Sequence, residues 1–126
     1  MKRPHSLTEV ASLARSRSEL GYAVAEFLDQ FKIEEEGAML KDEPPLLRSR
    51  LQDEGVADAY LAAVAVHLSR SSNAIPPRWT WEPARYLHRP WFASPGPSLR
   101  ATLLLENPAA FRERNLFVSA NALDRA

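Results

Sequence analysis

The sequence predicts an all-α fold built around one helix that is buried on every side. Residues 57–70, ADAYLAAVAVHLSR, are apolar around almost the whole helical circumference. Leu61, Val64 and Leu68 recur at helical spacing on one face, while alanines make the opposite face small and apolar. Alanine also favours the helical state and lets a neighbouring helix approach closely. We therefore expect the chain to enclose this helix on both faces within a single helical domain, 1–126.

Composition agrees with one ordered domain that has no covalent cross-links. The chain has 126 residues, of which 45% are hydrophobic and 25% are charged, as in ordinary globular proteins. Cysteine is absent, which excludes disulfides, thiolate nucleophiles and cysteine-ligated metals. No segment approaches the roughly 20 apolar residues that span a bilayer, and the N-terminus lacks a signal-peptide pattern. We therefore expect a cytoplasmic protein that does not bind membranes.

Two helices are predicted before the central one. Ser6 and Glu9 have the spacing of a capping box, in which each side chain binds a free amide of the first turn. Residues 16–18 interrupt the apolar stripe, and a second amphipathic run follows over 19–31.

A proline-containing connection then leads to the central helix. Pro44 and Pro45 forbid a continuous helix, because proline lacks the amide and clashes with the preceding turn. Either Asp53 or Asp58 is expected to cap the central helix.

Residues 75–97 are predicted to form an ordered strap over the helices. This strap contains all three tryptophans and six of the ten prolines. Proline stiffens the chain and tryptophan favours burial, so the strap is not a flexible linker. We expect one short helix within it, near 82–87, capped by Thr80. Its aromatic side chains either cover the core or offer a stacking platform for a nucleic-acid base.

The C-terminal part is expected to add short elements. Asn107 and Pro108 have the order of a cap followed by a first helical residue. The other expectations are a helix over 98–106, a helix over 109–114, an extended stretch over 115–119 and a last turn over 120–125.

Charge is unevenly distributed although the formal net charge is zero. Residues 33–58, here called the acidic waist, contain eight acids and three basic residues, whereas residues 59–126 contain eight arginines and four acids. The waist and the basic half are either solvated faces or surfaces for charged partners.

The sequence shows no catalytic motif and no metal-ligand spacing. His5, His67 and His88 lack a second ligand at helical spacing, and glycine-rich phosphate loops are absent. His67 is either a general base or a structural histidine, and His88 either contacts a ligand or packs locally. We predict a non-enzymatic protein with no cofactor and no metal site.

The tail 111–118 is a second candidate surface. Arg112, Arg114 and Phe117 are of the residue types that protein interfaces favour as anchors. On a helix the two arginines point to different sides, so that one pairs with the acidic waist and the other faces a partner. Alternatively, these residues fasten the last helix to the domain.

Four stretches carry a resemblance to a known group of proteins. They are MLKDEPPLL, DAYLAAVAVHLS, PRWTWEPARYLHRPWF and PSLRATLLLENPAAFRERNLFVSANALDRA, which together cover most of residues 38–126. The chain resembles a family of small bacterial proteins often encoded beside nucleotidyltransferase-like proteins. The resemblance implies a toxin–antitoxin arrangement, in which the small protein neutralises its neighbour.

We therefore expect an antitoxin-like protein that binds and occludes a nucleotidyltransferase. The candidate partner-binding residues are Glu34, Glu35, Asp42, Glu43, Arg112, Arg114 and Phe117. The alternative is a nucleic-acid-binding accessory or regulator that uses the tryptophans with Arg78, Arg85, Arg89 and Arg100. Self-association into a homo-oligomer is a further open alternative.

Overall fold

The computed structural model describes residues 3–34, 36–93 and 107–118, and this part of the chain is mostly helical. The α-helices are α1 (Leu7–Leu13), α2 (Arg17–Glu34), α3 (Ala38–Lys41), α4 (Arg48–Leu51), α5 (Val56–Ser71) and α6 (Ala109–Arg112). Two short 3₁₀ helices, η1 (Arg78–Trp81) and η2 (Pro83–Arg85), and two strands, β1 (Trp91–Phe92) and β2 (Leu116–Phe117), complete them. The all-α prediction is confirmed. The helix predicted over 98–106 and the turn over 120–125 lie outside the described residues.

Helix α5 is the central helix that the sequence predicts. Ten of its 16 residues are buried, and Leu61 and Val64 have no exposed surface. The elements packed most closely on it are α6, η1 and η2, with α4 and β2 also in contact. The strap thus lies directly on the central helix. Neither α5 nor any other helix in the described part of the chain is long and apolar enough to cross a membrane.

The first two helices begin with related caps. Ser6 Oγ accepts a 3.1 Å hydrogen bond from the Glu9 amide, as predicted, but the Glu9 carboxylate binds the amide of His5 at 2.9 Å. Ser16 Oγ accepts in the same way from the amide of Glu19 at 3.2 Å. The break at 16–18 is therefore itself a helix start. Helix α2 begins at Arg17 and runs beyond the predicted 19–31.

At the start of α5 the structure decides between the two predicted caps. Asp53 accepts hydrogen bonds from the amides of Gly55 at 3.0 Å and Ala57 at 2.8 Å, so Asp53 is the cap. Gly55 has a φ of 92°, a left-handed conformation that glycine adopts without strain. Asp58 instead points into the protein, where it is fully buried.

Two other predicted caps are wrong. Thr80 lies inside η1 and donates to the Pro77 carbonyl at 2.7 Å, whereas Glu82 precedes η2. Asn107 does not cap α6, because its side-chain amide binds the backbone of residues 116 and 118 at 2.5 and 3.0 Å. This amide pairing extends the edge of the short sheet.

The extended stretch predicted over 115–119 is realised as β2, which pairs in parallel with β1. Trp91 lies opposite Leu116, and Phe92 lies opposite Phe117. This pairing joins the end of the strap to the tail, a contact that the sequence pattern did not predict.

Truncation of Leu61 tests the central role of α5. Leu61→Ala should lower the free energy of unfolding by about 2–5 kcal/mol, because it leaves a cavity at a fully buried position. Leu13→Ala is the matched control, since Leu13 is 51% exposed and should lose under about 1 kcal/mol. Urea unfolding of both variants measures the difference. Equal losses would contradict the central position of α5.

Candidate functional site

The structure divides the predicted partner-binding residues into exposed and buried groups. At the surface lie Glu34, Asp42, Glu43 and Arg112. Arg114 and Phe117 are buried, with 1% and 8% of their surface exposed. Glu35 lies outside the described residues. The three exposed acids belong to one stretch, 34–43, which spans the end of α2 and the whole of α3.

These exposed acids differ in how far their charge is compensated. Glu34 Oε2 lies 3.3 Å from His5 Nδ1, so this pair is an ion pair only when the histidine is protonated. Glu43 Oε2 accepts a 3.2 Å hydrogen bond from Arg85 Nη2. The carboxylate of Asp42 makes no hydrogen bond or ion pair with a described residue. Asp42 therefore presents its full charge to solvent.

The stretch that carries these acids is attached to the core on two sides. Met39 and Leu40 of α3 are buried. Trp79 of the strap donates from Nε1 to the Leu40 carbonyl at 3.0 Å, and Thr8 of α1 donates to the Asp42 carbonyl at 3.3 Å. The acids are consequently displayed on a positioned backbone.

A buried ionic cluster lies beneath this surface. The carboxylate of Asp58 accepts hydrogen bonds from the Leu47 amide at 2.6 Å and from Arg48 Nε at 2.9 Å. Arg85, which is also fully buried, places Nη1 at 3.9 Å from Asp58 Oδ1. Arg48 Nη2 donates in turn to the Ala84 carbonyl at 2.5 Å. Because a buried charge requires compensation, these contacts allow Asp58 to sit inside an apolar helix.

Arg85 joins the strap to the acidic waist. Its Nη2 donates to Glu43 and to the carbonyl of Pro44. Its guanidinium lies over the Trp79 ring, with 4.9 Å between Cζ and the ring centroid. Nε and Nη1 have no hydrogen-bond partner among the described residues. The charge of Arg85 is thus balanced by Asp58 and Glu43 rather than offered to solvent.

Sequence reasoning missed this cluster. It counted Asp58 among the acids of the waist and Arg85 among the possible nucleic-acid contacts. A signal was present, since a carboxylate within the apolar run 57–70 needs a buried partner. Nothing in the spacing indicates which arginine supplies it.

Arg114 has an interior role instead of the predicted partner contact. Its Nη2 donates to the Thr80 carbonyl at 2.6 Å and to the Tyr86 hydroxyl at 3.3 Å, and Cζ lies 4.4 Å from the Tyr86 ring centroid. Burial lowers the pKa of Arg114, while Tyr86 and Glu113 oppose that shift. Arg114 fastens the tail to the strap, which is the alternative that the sequence left open, and the contacts in the described chain do not include the acidic waist.

Phe117 is likewise part of the interior. Its ring stacks on Phe92 with 4.9 Å between centroids, next to the paired strands β1 and β2. The partner contact predicted for Phe117 is therefore not supported by its position. Arg112 is the one member of the predicted tail set that is exposed.

The histidines lie apart from one another. A pocket of roughly 350 Å³ is lined by His67, Arg70 and Ser71 with the start of α6. A groove of roughly 410 Å³ contains both His88 and Glu54, but the two side chains are not hydrogen-bonded to each other. Among the described residues, no group of three or more His, Asp or Glu side chains could hold a metal ion.

Substitution of Asp58 tests the buried cluster. Asp58→Asn keeps the shape but removes the charge that balances Arg85, so the free energy of unfolding should fall by about 3–5 kcal/mol. Asp42→Asn is the matched control and should change it by under about 0.5 kcal/mol, because Asp42 is exposed. Urea unfolding measures both. A stable Asp58→Asn protein would show that the ion pairs do not hold the strap.

His67 gives a prediction of pH dependence. Burial lowers its pKa, and Arg70 lowers it further. The folded protein therefore binds this proton less readily than the unfolded chain, whose histidine pKa is about 6.5. As pH falls through that value, the wild type should lose more stability than His67→Gln. Urea unfolding at pH of about 8 and about 5 measures the two losses, and equal losses would contradict the shift.

Comparisons with protein-family models, with curated proteins and with solved structures give no match for this chain. The resemblance to small proteins encoded beside nucleotidyltransferases stays a prediction from the sequence. The described geometry consists of an exposed acidic stretch held on a buried ionic cluster.

Proposed function

We propose that this chain is a non-enzymatic, antitoxin-like protein that neutralises a nucleotidyltransferase by occluding its substrate cleft. The observation that supports the proposal is the exposed acidic stretch, 34–43. In sequence it contains five acids and one lysine, a formal charge of −4 from one minus five. Its described carboxylates Glu34, Asp42 and Glu43 all lie at the surface.

Charge complementarity is the physical basis of this mechanism. A nucleotidyltransferase binds polyanionic substrates, and a cleft for such substrates is lined with cations. An acidic surface on a positioned backbone competes for those cations in place of phosphate groups. Asp42 contributes most to this attraction, because its charge has no partner among the described residues.

The opposite mode, in which a basic tail grips an acidic metal-binding site, has less support. Arg114 and Phe117 are committed to interior contacts with the strap. Arg112 alone of that set is exposed. The tail therefore offers a single cation where the acidic stretch offers several carboxylates.

The nucleic-acid alternative also loses one of its residues. Arg85 is fully buried in the ionic cluster and cannot reach a phosphate group. Arg78 and Arg89 are exposed, and Arg100 lies outside the described residues. No contact in the described part of the chain brings these arginines together as a phosphate-binding surface.

Charge reversal tests the proposal. Asp42→Lys should slow association with the adjacently encoded nucleotidyltransferase about tenfold at low salt, because it weakens electrostatic steering. The slower rate should also depend less on ionic strength. Association kinetics at low and high salt measure both effects, and co-expression with the nucleotidyltransferase measures neutralisation.

Glu54→Lys is the matched control, since it changes the net charge equally at an exposed acid outside the stretch 34–43. It should leave the association rate within about twofold of wild type. Equal slowing by the two variants would contradict a localised acidic interface. Absence of binding by the wild type would overturn the proposed partner.

A further inference from the structure

Trp81 is an exposed indole on an ordered turn. It ends η1, and 51% of its surface is accessible, whereas Trp79 in the same turn is 6% exposed. A large exposed aromatic residue is unusual in a strap whose neighbouring aromatic side chains are buried. The backbone of η1 thus places one tryptophan in the core and presents the other to solvent.

The strap is fastened to the waist on both sides of Trp81. Before it, Trp79 Nε1 donates to the Leu40 carbonyl at 3.0 Å. After it, Arg85 Nη2 binds Glu43 at 3.2 Å. The two attachment points on the waist are three residues apart along the chain. Trp81 is therefore held beside the end of the acidic stretch.

Further groups around this turn suit a protein interface. Leu46 is 45% exposed and lies two residues after Pro44, whose carbonyl also accepts from Arg85. Asp42 and Glu82 are exposed acids on the two adjoining segments. The surface thus combines an apolar centre with carboxylates around it.

We infer that Trp81, supported by Leu46, is the apolar anchor of the partner interface. The partner surface is a protein recess that receives the indole and carries lysine or arginine at its rim, to match Asp42 and Glu82. This inference rests on the proposed function, because it takes the nucleotidyltransferase as the partner. It adds the residue that determines the lifetime of the complex.

The physical reason lies in the different roles of charge and apolar burial. Rim charges act mainly on the rate of association, whereas a buried aromatic anchor acts mainly on the rate of dissociation. An indole already held by its backbone loses little conformational entropy on binding. The buried cluster of Asp58 and Arg85 therefore serves the interface by holding the strap in place.

Replacement of Trp81 tests the inference. Trp81→Ala should speed dissociation from the nucleotidyltransferase about tenfold or more and leave association within about twofold. Tyr22→Ala is the matched control, because Tyr22 is an aromatic residue with 76% exposure on α2. Dissociation rates of the two variants are compared by surface-immobilised kinetics, after urea unfolding has shown that both are as stable as the wild type.

Fluorescence gives a second measurement that tolerates a fold change in the alanine variant. Acrylamide should quench the wild type more strongly than Trp81→Phe, because Trp81 is the more accessible tryptophan of η1. Addition of the nucleotidyltransferase should reduce quenching of the wild type and leave Trp81→Phe little changed.

The outcomes separate this inference from the proposed function. Wild-type binding with unchanged dissociation of Trp81→Ala, or with unchanged acrylamide quenching, overturns only the role of Trp81. Absence of wild-type binding overturns both. If Trp81→Ala instead abolishes concentration-dependent self-association, the anchor belongs to a contact between two copies, and the inference is wrong.

Discussion

The buried carboxylate of Asp58 constrains the whole arrangement around the central helix. A charge in the first turn of an otherwise apolar helix is unfavourable unless nearby donors compensate it. The Leu47 amide, Arg48 and Arg85 supply that compensation from α4 and from the strap. Helix α5 can therefore be enclosed in only one way, with the connection and the strap brought to the same end of the helix. Apolar packing alone is less selective, since it tolerates rearrangement more readily than a buried ion pair.

Two arginines extend this arrangement through the strap. Arg85 connects the strap to the acidic waist, and Arg114 connects it to the tail. Each guanidinium lies over an aromatic ring, Trp79 for Arg85 and Tyr86 for Arg114. The planar, weakly hydrated guanidinium suits such buried sites better than an ammonium group would. These residues explain how a proline-rich segment without long helices keeps an ordered path.

The interior use of these arginines changes the balance of the surface. Cations that the sequence offers as possible phosphate contacts are withdrawn, while acids at the end of α2 and around α3 stay exposed. The same contacts that bury Arg85 and Trp79 leave Trp81 outside, close to those acids. A stable interior and a partly acidic surface with one aromatic residue thus follow from the same set of contacts.

Local pattern was sufficient for the central helix, for the start of α1 and for the ordered strap. These features depend on hydrogen bonds that close within a few residues and on the periodicity of apolar side chains. Alternatives at single positions were less determined: Asp53 and Asp58 both looked like caps, and Asn107 looked like one. Each of these side chains can bind either a nearby amide or a distant backbone group.

By itself, therefore, the sequence determined that an apolar helix over 57–70 must be enclosed by an all-α chain. Only the tertiary structure decided which charged residues are inside. Nothing local distinguishes the buried Arg85 from the exposed Arg89, because the partners Asp58 and Glu43 come from much earlier in the chain. The pairing of β1 with β2 was hidden for the same reason, since two residues are too few to show a strand period. Contacts between distant segments are chosen by the packing of the whole chain, and neighbouring residues carry no record of them.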